Sequence, residues 1–239
     1  MSVFRFKQFS VKQEYSAMKV GTDAMLLGSL VQLDNPTSIL DVGSGTGVIS
    51  LMLAQRYMGA SIRGIEVDEP SNLESEANYQ DSPWNDRLSA VQCDFLLYET
   101  DQKFDSIISN PPYYQTRLEN EDARKSQARH ESALPVAGMV KKVSELLSDN
   151  GSFWVIIPQE VVTTWEQNTS KFDLSVATKI SIKGKEDGPI KRLVLEFRKE
   201  QLTQEERELT IRSAEGKYTD QYIELTKDYH FNNLRATTP

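Results

Sequence analysis

Apolar positions along the chain follow two alternating rhythms. Short runs rich in β-branched residues occur near 38–43, 61–67, 88–94, 104–109, 153–158, 178–183 and 191–198, and these read as strands. Between several of them apolar residues return at every third or fourth position, near 46–57, 70–80, 133–148 and 159–169, which reads as helices. Strands that alternate with helices imply an α/β fold: a mostly parallel sheet with crossover helices on both faces. The run Arg192–Phe197 follows 178–183 through Gly184 and Gly188-Pro189, so the final pair reads as an antiparallel hairpin. That gives seven strands. Residues 201–210 are charge-rich and read as a surface link into a short strand at 209–212, followed by an amphipathic helix bearing Tyr222, Leu225 and Tyr229. The expectation is one domain over 1–239, with 1–37 extending over one edge of the sheet and 201–239 adding the last strand and helix.

The first strand, Ser38–Val42, leads into Gly43-Ser44-Gly45-Thr46-Gly47 and then into an apolar helix. Glycines at 43, 45 and 47 let a ligand approach the backbone closely. Glu66, at the end of the second strand, stands about 20 residues further on, where nucleotide-binding folds place a carboxylate for ribose hydroxyls. The glycine spacing is G-x-G-x-G rather than the dinucleotide G-x-G-x-x-G, and Asp41 precedes it. A carboxylate there repels a pyrophosphate but suits a cationic amino-acid tail, which favours S-adenosylmethionine over NAD. At the third strand end, Asp94 is placed either to accept from an adenine amino group or simply to cap a turn, and Phe95 to pack on the ring. Upstream, Thr22 or Asp23 caps a helix beginning there, or Lys19 and Thr22 meet a methionine carboxylate.

The fourth strand, Phe104–Ser109, ends in Asn110-Pro111-Pro112-Tyr113. An exocyclic amino group is a poor nucleophile because its lone pair is delocalised into the ring. A catalyst has to hold the nitrogen by both hydrogens. The Asn110 side-chain carbonyl and a backbone carbonyl within the Pro-Pro step supply two acceptors. Proline fixes φ and biases its predecessor toward extended geometry, so the acceptors are in place before substrate arrives. Tyr113 then offers a flat face to a base flipped out of its stack. As a bland alternative, Asn-Pro is also a common turn dipeptide.

Composition narrows the setting. The 239 residues carry a net charge of −8 and one cysteine, Cys93. A single cysteine permits no intrachain disulfide and leaves no zinc cluster, which points to a reducing, cytoplasmic environment and no metal. The first residues lack the pattern of a secretory leader and no run reaches membrane-spanning length, so no membrane partner is expected. An acidic chain does not coat nucleic acid indiscriminately. Any contact with RNA has to be local, and the basic residues beside the tetrapeptide, Arg117, Arg124, Lys125 and Arg129, are candidates for it, as are Lys183, Lys185, Lys191 and Arg192. The charged, glycine-free stretch 113–131 reads as a lid ordered by substrate.

Taken together, Asp41-Val-Gly-Ser-Gly-Thr-Gly47, Glu66, Asp94 and Asn110-Pro-Pro-Tyr113 resemble, in order and spacing, the class I S-adenosylmethionine-dependent amino-methyltransferases. Phe6-Lys-Gln-Phe9, Met18-Lys-Val-Gly-Thr-Asp23, Ser82-Pro-Trp84 and Tyr114 extend the likeness to the bacterial enzymes that methylate N6 of the adenosine beside the anticodon of a valine tRNA. The resemblance covers most of the chain, from Phe4 to about Tyr229. It implies a Rossmann-like seven-stranded sheet, S-adenosylmethionine at the glycine loop, and the target adenine against Asn110 and Tyr113. tRNA is then the partner, and a monomer is favoured. The same tetrapeptide suits methylation of a protein glutamine amide or of guanine N2 in ribosomal RNA. A non-catalytic RNA adaptor is the reading from another class.

Overall fold

The computed structural model describes residues 2–16, 18–112, 136–232 and 234–235. In chain order the elements are β1 (Val3–Arg5), β2 (Ser10–Lys12), α1 (Thr22–Leu30), β3 (Ser38–Val42), α2 (Val48–Arg56), β4 (Ser61–Glu66), α3 (Glu69–Gln80), β5 (Leu88–Gln92), β6 (Phe104–Ser109), α4 (Val136–Leu146), β7 (Leu147–Pro158), α5 (Val162–Thr169), β8 (Ser175–Lys183), β9 (Ile190–Arg198), β10 (Glu205–Thr210) and α6 (Asp220–Thr226). The main sheet runs β10-β8-β9-β7-β6-β3-β4-β5. Strands β7, β6, β3, β4 and β5 are mutually parallel, and β9 is antiparallel to both β7 and β8. A mostly parallel sheet with an antiparallel final hairpin was the expectation, and so it stands. Among the described residues no helix is long and apolar enough to cross a membrane.

The sheet has eight strands, not seven. The eighth is β10: the short strand expected at 209–212 begins four residues earlier, inside the charged run Glu-Glu-Arg-Glu-Leu-Thr that reads as a link, and it pairs in parallel with β8 over six residues. Only Leu209 is buried there. An outermost strand needs little apolar surface, and its charges deter pairing with other chains.

Successive residues of the central strands alternate between two cores. Ile39, Ile108, Trp154 and Val194 face one side, where α1, α2 and α6 pack; Leu40, Ile107, Phe153 and Leu193 face the other, under α4 and α5. Period-two alternation in strands covered on both faces yields these near-continuous apolar runs. The first core also takes in Phe6, Phe9 and Val11. These belong to an antiparallel β1–β2 hairpin, a separate two-stranded sheet that hydrophobic pattern alone does not reveal in strands of three residues.

Helix α1 starts differently from the expectation. Its N-cap is Gly21, with no side-chain cap bond. Asp23 instead pairs with Arg192 at 2.9 Å. Arg192 of β9 lies opposite Pro158, the last residue of β7, so this ion pair sets the start of α1 at the carboxyl edge of the sheet.

Candidate active site

Register fixes the site. Val42 pairs with Ser109 and with Ile65, and Glu66 pairs with Gln92. One step beyond, Asn110, Gly43 and Glu66 therefore occupy a single row across β6, β3 and β4. Strands lie about 4.8 Å apart, so Asn110 and Glu66 are separated by roughly 10 Å with the glycine loop between them. Ser109 Oγ donates to the Val42 carbonyl at 2.8 Å, which locks the two strand ends together. Ligands in open α/β sheets bind at this edge.

The loop between β3 and α2 has all three glycines at positive φ: 72° at Gly43, 53° at Gly45 and 77° at Gly47. That left-handed backbone is where other residues are strained. A Cβ added at Gly43 or Gly45 would point into open space. The backbone there is thus bare toward the cleft, a cradle that a ligand can occupy. Gly47 is the N-cap of α2 and offers no capping side chain.

Glu66 binds the loop directly. Its Oε2 accepts from Gly45 N at 2.9 Å and its Oε1 from Asp68 N at 3.0 Å. Each carboxylate oxygen keeps a second lone pair, so the group can still receive ribose hydroxyls.

Asp41 is turned inward rather than toward the cleft. It is 0% exposed, and its Oδ2 accepts from Ser50 N at 3.1 Å and Ser50 Oγ at 2.7 Å. Ser50 is the third residue of α2, so Asp41 caps that helix from a neighbouring strand. Its Oδ1 is buried with no partner. Burial pushes its pKa up to about 6 against the lowering influence of Ser50, and the charge of Glu66 adds to the rise. In this arrangement Asp41 supports the loop from beneath and does not face a cofactor tail.

At the end of β5, Asp94 Oδ1 accepts from Leu96 N at 2.9 Å and caps the short turn Phe95–Leu97. Phe95 is 3% exposed and packs in the second core, so it offers no open ring face. The exposed apolar residue at this strand end is Leu97, at 74%. Lys19 and Thr22 are exposed, and the Asp23–Arg192 pair keeps Thr22 at the carboxyl edge. Asn110 is half-buried, Pro111 buried and Pro112 exposed. Tyr113, Arg117, Arg124, Lys125 and Arg129 lie outside the described residues. In the second basic group, Lys183 pairs with Glu208 at 2.9 Å and Arg192 with Asp23.

Sequence reasoning missed Asn78 and Tyr79. Asn78 Nδ2 donates to the Thr46 carbonyl in the loop at 2.9 Å and to the Lys12 carbonyl of β2, also at 2.9 Å, while Lys12 N donates to its Oδ1 at 2.8 Å. Tyr79 is 2% exposed and abuts Gly47. The buried face of α3 is Ser71, Asn72, Glu74, Ser75, Asn78 and Tyr79. A helical period made of small and polar residues, rather than apolar ones, was the signal available. Glu74 uses that face too, accepting from Glu14, Tyr15 and Ser16 amides and so fixing the N-terminal segment against α3.

Comparison with known proteins agrees with this geometry. Residues 9–168 match the family described as methyltransferase small domain. A protein of Bacteroides thetaiotaomicron named tRNA1(Val) (adenine(37)-N6)-methyltransferase is 37% identical over 230 residues, covering 96% of this chain and 97% of its own. One of the same name from Flavobacterium johnsoniae is 40% identical over 232 residues, covering 95% and 99%. Among solved structures, a predicted O-methyltransferase of Agrobacterium tumefaciens superposes with a TM-score of 0.68 at 17% identity, over 87% of this chain and 96% of that one. At that identity the likeness shows the fold alone. The match over residues 9–168 and the near full-length relatives together show that the chain belongs to the methyltransferase small domain family.

Proposed function

We propose that this chain methylates the N6 amino group of an adenine in tRNA, the adenosine beside the anticodon of a valine tRNA, with S-adenosylmethionine as methyl donor. The observation that carries the reading is the single row of Asn110, Gly43 and Glu66 across three adjacent strand ends. On this reading the row supplies an amide acceptor at Asn110, bare glycine backbone at Gly43 and, at Glu66, a carboxylate for ribose hydroxyls. The relatives' names supply the substrate: nearly full-length proteins from several bacteria carry the same one. The residues fit the donor, because open space over Gly43 and Gly45 leaves room for a nucleoside against the loop and Glu66 keeps free lone pairs for its hydroxyls.

When bound, S-adenosylmethionine supplies an electrophilic methyl on a positive sulfur. The chain's own residues do the rest by holding the acceptor. Asn110 Oδ1 takes one amino hydrogen and the Pro111 carbonyl the other, which turns the nitrogen lone pair out of conjugation and toward the cleft. Orientation of this kind supplies most of the acceleration. No strong base is required, since the methylated nitrogen is acidic enough to lose its proton afterwards. Asp94 and Tyr113 complete the reading as contacts to the donor's adenine and the target base, and Arg117, Arg124, Lys125 and Arg129 as contacts to RNA phosphate. A cytoplasmic location goes with such a substrate.

The test is transfer of label from S-adenosylmethionine to separate pools of tRNA, ribosomal RNA and protein, followed by nucleoside analysis. N6-methyladenosine confined to the tRNA pool supports the reading. Label in a glutamine side chain or in guanine N2 replaces it, and binding of RNA without any transfer leaves only an adaptor.

A further inference from the structure

Two consecutive residues of α3 hold the glycine loop from behind. Asn78 takes the Thr46 carbonyl, as described, and Tyr79 lays its ring against Gly47, where a Cβ would stand 2.4 Å from the ring carbon Cε1. The Tyr79 hydroxyl reaches over Gly64. A Cβ there would lie 2.6 Å from that oxygen and 2.8 Å from Ser44 Oγ. Gly64 is the β4 partner of Asp41. The Tyr79 hydroxyl, the Ser44 hydroxyl and the Asp41 carboxylate thus converge on the space left by one missing side chain.

None of the three makes a well-formed hydrogen bond: Tyr79 Oη, Ser44 Oγ and Asp41 Oδ1 are all buried without one. The Tyr79 hydroxyl does lie close enough to those of Ser44 and Ser50 for both to favour its ionised form, but neither Tyr79 nor Ser44 donates to Asp41, whose Oδ1 is left over, and buried polar groups are rarely left so. Burial, and after it the charge of Asp41, holds the Tyr79 phenol well above its usual range, so it remains a donor. Around Asp41 stand Ser50 from α2, Ser44 from the loop, Tyr79 from α3 and Glu66 from the end of β4.

We propose that Tyr79 is a positioning residue for the donor-binding loop: seating of S-adenosylmethionine on Gly43–Gly47 brings the Tyr79 and Ser44 hydroxyls onto Asp41, closing this network. The proposal rests on the methyltransferase reading. It makes Tyr79 act on the donor through the backbone of the loop, without touching it. Only the hydroxyl is needed for the network, while the ring supports Gly47, so Tyr79→Phe separates the two.

Isothermal titration with S-adenosylmethionine across about pH 5 to pH 8 tests it, alongside thermal melts and amide exchange of 43–50 with and without ligand. Tyr79→Phe should bind roughly tenfold more weakly, about one lost hydrogen bond to a charged group. Its acid-side loss of binding should move to higher pH, because Asp41 loses a donor that favours its ionised form. Ligand-induced protection of the loop amides should shrink, with the melting temperature of the free protein near that of wild type. Ser44→Ala should act in the same direction, and the double variant should fall short of additivity. If Tyr79→Phe fails to fold, Ser44→Ala carries the same readings. Wild-type affinity and pH profile in the folded variant would overturn the proposal. So would weaker binding matched by lost thermal stability with an unchanged pH profile, which means that the tyrosine only packs. No binding of the ligand by wild type would instead remove the methyltransferase reading itself.

Discussion

The two ends of helix α2 are closed by opposite charges from outside the helix, and they are closed unequally. At the amino end of the sheet, the Arg87 guanidinium donates to the carbonyls of Tyr57 at 3.0 Å, Ala60 at 2.9 Å and Ala54. At the carboxyl end, Asp41 accepts from Ser50 alone and leaves one oxygen unpaired. Both charges suit the helix dipole, an acid at the N-terminus and a cation at the C-terminus. Arg87 does what a structural cap does. Asp41 lies in a half-satisfied cluster directly beneath the loop that faces the cleft, and incomplete satisfaction at a ligand edge marks a place prepared for further contacts. The prediction from this contrast is that substitutions at the carboxyl end act on function and those at the amino end on stability.

The largest effect belongs to Asn110→Ala. Methyl transfer should fall by about 10²–10³-fold or more, the scale for losing one preorganised polar contact to the reacting group, while titration still detects S-adenosylmethionine binding. Parallel loss of both would make Asn110 structural and blur the contrast. Glu66→Ala should come next, weakening donor affinity roughly 10- to 100-fold, because Gly45 N loses its carboxylate partner and ribose hydroxyls lose theirs. The melt of the free protein should move little.

Arg87→Ala should reverse that pattern. Removing three carbonyl contacts costs on the order of 2 kcal/mol of stability, read as a lower urea midpoint, with donor affinity at low temperature unchanged. A fall in affinity would show that the two ends of α2 are coupled. The smallest effect is a slope. A carboxyl whose pKa is raised from 3.8 to about 6 on folding takes up its proton in the native state first, so between about pH 4 and pH 6 its contribution to stability declines as pH rises. Asp41→Asn should remove that decline, at most about 1.4 kcal/mol per pH unit, in urea titrations across the window. An identical slope in the variant would mean that Asp41 is not the group responsible.

The same contrast explains what could be read from the chain in advance. The central strands, the glycine turn and the place of Glu66 at the end of β4 were legible because each depends on local pattern: apolar runs, positive-φ residues, and an acid at a set spacing. The role of Asp41 was not, since spacing places an acid before the loop but only the fold buries its carboxylate against Ser50. Phe95 was misjudged for a similar reason. An aromatic beside a site is as useful to the second core as to a ligand, and Leu97 took the exposed position. Asn78 and Tyr79 escaped notice because a polar helix face looks like a solvated one. Brevity hides the β1–β2 hairpin, and charge hides the first four residues of β10 although its end at Leu209-Thr210 was expected as strand.

The parallel pairing of β10 with β8 has a consequence for synthesis. Every strand from β3 to β9 emerges from the ribosome before it, and until Thr210 has followed, the backbone amides and carbonyls on the outer side of β8 have nothing to bind. Ile180 and Ile182, two of the buried residues of that strand, share a core with Leu209 and with Tyr222 of α6, which follow later still. A nascent chain stalled at about residue 200 would therefore present an open, sticky margin until β10 is made.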